Sequence, residues 1–299
     1  MMKIKKVPGL IIIGAAKAGT TALYDLLIQH PDIHFSDIKE TLFFSRDDYF
    51  QKGLDWYLKT FFADAGDFPV VGEATPHYLY WAEKTAPRIA ETLGREAVKF
   101  IVCLREPASR AYSFYWNMVR EGKEERSFEE ALACEENDLQ ANYKDLYSRG
   151  AMTYGYRKGS DYLPQIKTFM RYFDRTQFFF IRQSDIRNPR SDWIKQLLVF
   201  LDLGPDFTFA TSISNPAKMP RSRTIHRWLH EPSPVKTLVK KIIPLQLRYR
   251  LKGKLRDANL RDFAYRPMDP DTEQKLKAQF APQIQELETI TGLDLSDWQ

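Results

Sequence analysis

Only two cysteines, Cys103 and Cys134, occur in the 299 residues, and the histidines form no close group with them. That excludes a disulfide framework and a zinc site of clustered thiolates and imidazoles, so no metal is expected. Cys103 lies inside the apolar run VKFIVCL and reads as a small buried hydrophobe. Long apolar runs are missing as well. The basic start MMKIKKVPG is followed by only the short run Leu10 to Ile13 before Gly14, too little for a secretory signal core, and no later run approaches the roughly 20 residues of a membrane span. The expectation is a soluble cytoplasmic protein. Internal repeats and low-complexity tracts are absent. Acidic residues are nearly absent from one stretch: between Lys218 and Arg256 a single acid, Glu231, faces twelve Lys and Arg, so this stretch carries +11 of a net charge of only +5. Anions should be drawn there. Acids instead dominate EERSFEEALACEENDLQANYKD, residues 124 to 145.

With 43% hydrophobic residues the chain can bury a large core. Its pattern predicts one α/β domain over residues 1 to 299, with a basic loop and helical C-terminal portion from about 211. Leu10 to Ile13 has no polar alternation and runs straight into a glycine loop, the mark of a buried parallel strand. Ala22, Leu23, Leu26 and Leu27 then recur at helical spacing until His30-Pro31. PVVGEAT (69 to 75), VKFIVCLR (98 to 105) and QFFFIR (177 to 182) read as further strands between helical stretches. Together they predict a three-layer, P-loop-type parallel sheet with helices on both faces. Ser127-Phe-Glu-Glu130 has capping-box spacing and opens a helix through Ala131 and Leu132. Residues 211 to 235, rich in proline, read as a long irregular loop.

The first loop, GAAKAGTT, is a phosphate loop with its lysine displaced. An ATP or GTP loop follows its second glycine with Lys and then Ser or Thr. Here Gly14 and Gly19 keep the five-residue step and Thr21 keeps the hydroxyl, but Thr20 takes the lysine's place and Lys17 lies inside the loop. Successive amides at a helix N-terminus still suit a 5′-phosphate or pyrophosphate-like group. A lysine within the loop can follow a leaving oxygen between two acidic groups, where charge builds as the bond breaks. The alternative is an ordinary strand-to-helix turn with a solvated lysine.

GAAKAGTT, followed by IKETLFF (38 to 44), GEATPHYL (72 to 79) and LREPASRAYSFYW (104 to 116), resembles the sulfotransferases that use 3′-phosphoadenosine 5′-phosphosulfate (PAPS), nearest to their heparan-sulfate and bacterial small-molecule branch. The resemblance covers most of residues 8 to 205. It implies that the loop, Ala16, Lys17, Ala18, Gly19, Thr20 and Thr21, holds the 5′-phosphosulfate, and that Arg105 and Ser113 hold the 3′-phosphate. Arg105 ends a strand, where ligands of open parallel sheets bind, and a guanidinium grips phosphate with two hydrogen bonds. Ser113 lies about two turns into the next helix. Taken singly, Arg105 could instead pair with Glu106, and Ser113 could be a surface serine.

The implied reaction moves a sulfuryl group to a hydroxyl, or an amine, of a small-molecule or glycan acceptor and leaves 3′,5′-adenosine bisphosphate (PAP). The resemblance makes Glu40 the base, and partial burial beside Phe43 and Phe44 would suit it to that role. The alternative is a glutamate paired with Lys39 or Arg46. His77 is the rival base, with an intrinsic pKa better matched to the task. Glycan-modifying relatives carry a lysine where this chain has Ala74. KMPRSRTIHRW (218 to 228) occupies the place of their basic, glycine-containing loop but lacks the glycine, and it offers Arg221 and Arg223 for the 3′-phosphate. Tyr162 and Gln165 of GSDYLPQI match a pattern of bacterial members as ligands or packing residues. Phe43, Tyr78, Tyr80, Trp81 and Trp116 suggest a planar acceptor site or plain core.

A P-loop kinase is the rival enzyme reading. It needs a lysine at position 20 and an acidic strand end, and the chain has Thr20 and Arg105. An anion- or membrane-binding module built on residues 235 to 256, where basic and apolar residues interleave as in surface-lying helices, is the non-enzymatic alternative, but Pro244 interrupts that helix. No nucleic-acid reader motif accompanies the basic stretch.

Overall fold

Leu10 to Ile13 are each at most 1% exposed. Neighbouring strand residues face opposite sides, so burial at every position means that both faces of the sheet are covered. The structure, a computed structural model, describes residues 7–186, 192–210, 218–220, 260–262 and 266–298. Its main sheet comprises β1 (Leu10–Gly14), β2 (Ile33–Phe35), β3 (Val70–Ala74), β4 (Lys99–Leu104) and β5 (Phe178–Arg182). All pairs are parallel, in the order β2-β3-β1-β4-β5. The helices are α1 (Thr20–Leu27), α2 (Asp47–Phe50), α3 (Gly53–Phe61), α4 (His77–Tyr80), α5 (Ala82–Leu93), α6 (Pro107–Arg120), α7 (Phe128–Arg149), α8 (Tyr162–Met170), α9 (Gln183–Ile186), α10 (Trp193–Phe200) and α11 (Pro270–Thr291). The expected α/β architecture is therefore present.

The strand order places the site. From β1 the chain turns one way, through β2 and β3, and then crosses to β4 and β5 on the other side. Leu10 pairs with Gly72 on one flank and Lys99 on the other. Beyond the carboxyl ends of β1 and β4 the connections diverge, which opens the crevice where ligands of such sheets bind. The first loop and Arg105 both sit at this split.

Ser127 accepts from the Glu130 amide at 3.2 Å, and Glu130 accepts from the Ser127 amide at 2.9 Å. This capping box opens α7, which runs 22 residues to an αL Gly150. The expectation of an irregular 211 to 235 needs one correction. Lys218–Pro220 is a strand, paired antiparallel with Leu260–Asp262. Its partner lies forty residues downstream, so no local pattern announces it.

Candidate active site

Strand β1 delivers the chain to Gly14, where a side chain would force its neighbours to shift: a Cβ there would stand 2.6 Å from the Leu79 Cβ of α4. The loop is pinned to β4 by the Ala15 amide, which donates to the Cys103 carbonyl at 2.7 Å. It closes on itself where the Ala18 amide donates to the Ala15 carbonyl at 3.1 Å. Lys17 and Gly19 both take the left-handed conformation, with φ of 73° and 91°. Gly19 is the N-cap of α1 and supplies no capping side chain. The first-turn amides of Thr20, Thr21 and Ala22 thus keep the unsatisfied donors of a helix N-terminus, a cradle suited to an anion. Thr20 is buried, whereas Thr21 is exposed and its hydroxyl accepts from Lys39 Nζ at 2.7 Å.

Lys17 is partly buried. Burial, with the Arg120 and Arg105 cations nearby, lowers its ammonium to about 8 against the opposing carboxylates of Glu121 and Glu40. A lysine at the crown of the loop is thus held among charges from the IKETLFF segment, the end of β4 and the end of α6. Arg120, Glu121 and Lys123 were not anticipated from the sequence. Their signal is helical register, because Arg120 and Glu121 lie seven and eight residues beyond Ser113 on the same helix face. Lys123 Nζ and Asn117 Nδ2 hold Glu121 at 2.7 and 3.0 Å.

Glu40 reaches this cluster through a left-handed backbone, φ 61°, with its amide donating to the Ala74 carbonyl at 3.1 Å. Such a conformation in a non-glycine residue costs on the order of 1 kcal/mol and is characteristic of functional positions. Lys39 turns to Thr21 and Arg46 to Asp48. His77 opens α4 at the end of β3. Burial depresses its imidazole pKa, opposed chiefly by Glu40 and then Glu121. Its Nδ1 is buried and makes no hydrogen bond within the described residues. The His77 imidazole therefore lies within electrostatic reach of Glu40, and the two candidate bases share one site.

Beneath them lies Glu73, fully buried on β3 and not singled out from the sequence. It accepts from Thr41 Oγ1 and the Tyr57 hydroxyl, both at 2.6 Å, from Thr75 Oγ1 at 2.7 Å and from the Tyr78 hydroxyl at 3.2 Å. Burial raises its pKa against these four donors. Thr41 follows Glu40 and Tyr78 follows His77, so one carboxylate ties together the segments that present both candidate bases.

Arg105 Nη1 donates to the Lys17 carbonyl, and the Tyr162 hydroxyl holds the Arg105 carbonyl at 2.9 Å. Glu106 does not take the role of Arg105's dedicated partner. Its two oxygens cap α6, accepting from the Ala108 and Ser109 amides at 2.8 and 2.7 Å. Ser113 is buried on α6 and lines, with Arg105, a cavity of about 340 Å³. Gln165 Nε2 donates to the Lys158 carbonyl at 2.8 Å, so this residue and Tyr162 brace backbone.

Phe43, Phe44 and Tyr78 are each 0% exposed and belong to the core, with Phe43 stacked on Tyr57 at 4.3 Å. They do not form an acceptor surface, because the Glu73 cluster draws this segment inward. Tyr80 and Trp81 are also buried, and Trp116 is partly buried. Arg221, Arg223 and residues 235 to 256 lie outside the described residues. A groove of about 640 Å³ beside α7, lined by residues such as Tyr143 and Lys158, shares no residue with this cluster. Among the described residues no group of three His, Cys, Asp or Glu is placed to hold a metal, and no helix is long and apolar enough to cross a membrane.

Comparison with known proteins bears on this geometry. Residues 8–219 match the family model described as "Sulfotransferase domain". Over 228 residues, 70% of this chain and 24% of the other, the chain is 26% identical to human bifunctional heparan sulfate N-deacetylase/N-sulfotransferase 3. Over 208 residues, 68% of this chain and 55% of the other, it is 28% identical to mouse heparan sulfate glucosamine 3-O-sulfotransferase 5. The chain thus spans from about a quarter to about half the length of these relatives. The crystal structure of a sulfotransferase from Alicyclobacillus acidocaldarius is similar over 98% of this chain and 99% of that one, with 27% identity and a TM-score of 0.69.

Proposed function

This chain belongs to the sulfotransferase domain family, and from that premise we propose that it transfers a sulfuryl group from PAPS to a hydroxyl or amine of a small-molecule or glycan acceptor. One observation carries the reading: Glu40 and Arg105, from separate segments, both lie within electrostatic reach of Lys17 at the split of the sheet. The residues present fit the donor. Uncapped first-turn amides suit its 5′ end, and a cavity lined by Arg105 and Ser113 suits a second phosphate.

When bound, the donor supplies an activated sulfuryl group on its 5′-phosphate. The amides of Thr20 and Thr21 hold the phosphate, and Lys17 Nζ meets the charge that develops on the bridging oxygen. Arg105 and Ser113 hold the 3′-phosphate and fix the nucleotide's register. The Glu40 carboxylate removes the acceptor's proton as its oxygen or nitrogen bonds to sulfur. Neutral His77, with Nδ1 free of hydrogen bonds to described residues, orients the acceptor group. Ala74 gives no ammonium at the end of β3, and the small-molecule acceptor is favoured on that ground.

Titration calorimetry tests the reading. PAP should bind tightly and ATP with Mg²⁺ weakly, and Arg105→Ala should weaken PAP on the order of 10- to 100-fold, the effect of losing a charged hydrogen-bond pair. Equal preference for ATP with Mg²⁺ would replace this reading with a kinase.

A further inference from the structure

Two residues of the segment that carries Glu40 sit in the left-handed region although neither is glycine: Glu40 itself and Leu42, with φ of 61° and 56°. Such a backbone persists only where its surroundings over-determine it. Toward the core, Glu73 holds Thr41, and the Tyr78 hydroxyl accepts from the Phe44 amide at 3.3 Å. Beyond Phe44 the chain turns, the Ser45 and Arg46 amides both donating to the Leu42 carbonyl at 3.2 and 2.9 Å, and it reaches Asp47 at the start of α2. A second set of bonds closes on that end, built by side chains that no step of the transfer uses.

Two cations of α5 meet at one carboxylate oxygen. Lys84 Nζ and Arg88 Nη2 lie 2.8 and 2.7 Å from Asp47 Oδ1. Spaced i and i+4, they project from the same face of their helix. Arg88 Nη1 also donates to the Phe44 carbonyl at 3.2 Å, and Lys84 Nζ donates to the Tyr147 carbonyl near the end of α7. The end of α7 backs the turn as well. Its αL Gly150 packs on Ser45, where an added Cβ would stand 2.5 Å from Oγ and 2.7 Å from the carbonyl carbon. The Lys84 side chain is only 1% exposed. Burying an ammonium is costly unless it is paired and hydrogen-bonded, so α5, the start of α2 and the end of α7 are committed to one arrangement. Against the opposing effect of its own burial, Lys84 and Arg88 hold the Asp47 carboxyl below its ordinary range, and it is ionised through neutral pH.

We propose that Asp47, clamped by Lys84 and Arg88, positions the Glu40 carboxylate for proton removal from the acceptor by keeping the Glu40–Leu42 backbone in its strained form. The proposal rests on the PAPS reading above and deepens it, since it assigns the outer support of the base. Asp47 is a positioning residue that acts through Glu40.

Asp47→Asn in the full chain tests it, with PAPS and an acceptor found by screening phenols for label transfer. Asn keeps the size of Asp and removes the charge that both cations share. Displacing a reacting group by about 1 Å costs on the order of 10²-fold, so kcat should fall about 10- to 100-fold while PAP affinity by calorimetry stays within about twofold. In a Glu40→Gln background the same substitution should change kcat by less than about twofold, because the two act through one group. Losses that multiply in the double variant would overturn the proposal. Lys84→Met removes the buried charge and keeps the length of the side chain, so it should preserve the fold and still lower kcat severalfold. Wild-type kcat in both single variants would overturn the proposal.

A proton NMR titration of His77 needs neither donor nor acceptor. Burial depresses the His77 pKa and Glu40 opposes that depression, so moving the carboxylate away should lower the pKa further. Glu40→Gln sets the full effect, and Asp47→Asn should show part of it in the same direction. A His77 titration unchanged by Asp47→Asn would overturn the clamp even where PAP binds. Failure of the wild-type protein to bind PAP would remove the PAPS reading, and the His77 titration would still decide whether Asp47 positions Glu40.

Discussion

Arg105 donates from Nη1 to the backbone carbonyl of Lys17 across a long 3.4 Å bond, joining positions 88 residues apart. The strand end that supplies a phosphate-gripping guanidinium therefore also steadies the loop that supplies the ammonium. The same closeness disfavours the charge on Lys17, which burial, Arg120 and Arg105 lower to about 8. An anionic nucleotide relieves that repulsion, so binding above pH 8 should take up a proton. At pH 8.5 a group titrating at about 8 is roughly three-quarters neutral, so titrations of PAP in buffers of different ionisation enthalpy should report up to about three-quarters of a proton taken up. Lys17→Met should abolish the uptake; unchanged uptake would assign it to another group.

The same value makes a stability prediction. Lys17 has a folded pKa of about 8 against an ordinary 10.5. The unfolded chain therefore binds more protons between those values, and stability contributed by this site rises with pH across them. Below pH 8 the full cost of the buried charge is present. Lys17→Met should stabilise the protein at pH 7 by about 1–3 kcal/mol, a gain that fades between pH 8 and 10.5. Denaturant titrations at pH 7 and 10.5 would check it, and a destabilised variant at pH 7 would contradict the assignment of the shift to burial.

Glu40 and His77 can be separated by rate. With an acceptor found by screening phenols, alcohols and amino sugars for label transfer from PAPS, Glu40→Gln should lower kcat by about 10²- to 10⁴-fold, the range for loss of a positioned base. PAP affinity should stay within about threefold. His77→Gln should cost about tenfold. The reverse ranking would make His77 the base.

Much of this was legible in the sequence because it is local. The β1 run, the GAAKAGTT turn and the Ser127 capping box each declare themselves within a few residues, and the resemblance joined four such segments into one site. What was not legible depends on contacts made across the chain. Edge strand β2 is three residues long and carries no pattern of its own. Phe43 and Tyr78 could equally have lined an acceptor pocket until the Glu73 cluster showed them buried. Helix α11 did carry a signal, Asp269 before Pro270 and Gly292 after the last turn, the usual marks of a helix's two ends. Its placement against α6 appears only in three dimensions.

Gly14 offers a test of packing behind the loop. An added Cβ would lie 2.6 Å from Leu79 Cβ and 3.0 Å from its Cδ2. Relief requires α4 to move, and α4 begins with His77. Gly14→Ala should therefore cost about 1–3 kcal/mol by overpacking and lower transfer more than tenfold. A wild-type melting temperature and rate would mean that α4 shifts freely, contrary to the packing described.

Glu73 should reveal how the two candidate bases are positioned. Gln keeps the size but offers one accepting oxygen and two donors where Thr41, Tyr57, Thr75 and Tyr78 all present hydroxyls to the carboxylate. The hydroxyls must reorient, at a cost of about 1–3 kcal/mol, and the segments carrying Glu40 and His77 lose their common anchor. Transfer should fall about tenfold or more while PAP affinity is retained, because Lys17 and Arg105 belong to other segments. The pH dependence carries a sign that general loosening would not reproduce. The folded pKa is raised by burial above the ordinary 4.5, so the folded protein binds more protons there. Stability contributed by Glu73 is greatest below about pH 4.5 and falls as pH rises through the folded value. The stability difference, wild type minus Glu73→Gln, should decline over that window and then level off. A flat difference from pH 4 to 8 would show that the carboxylate is ionised at no penalty and that burial does not govern it.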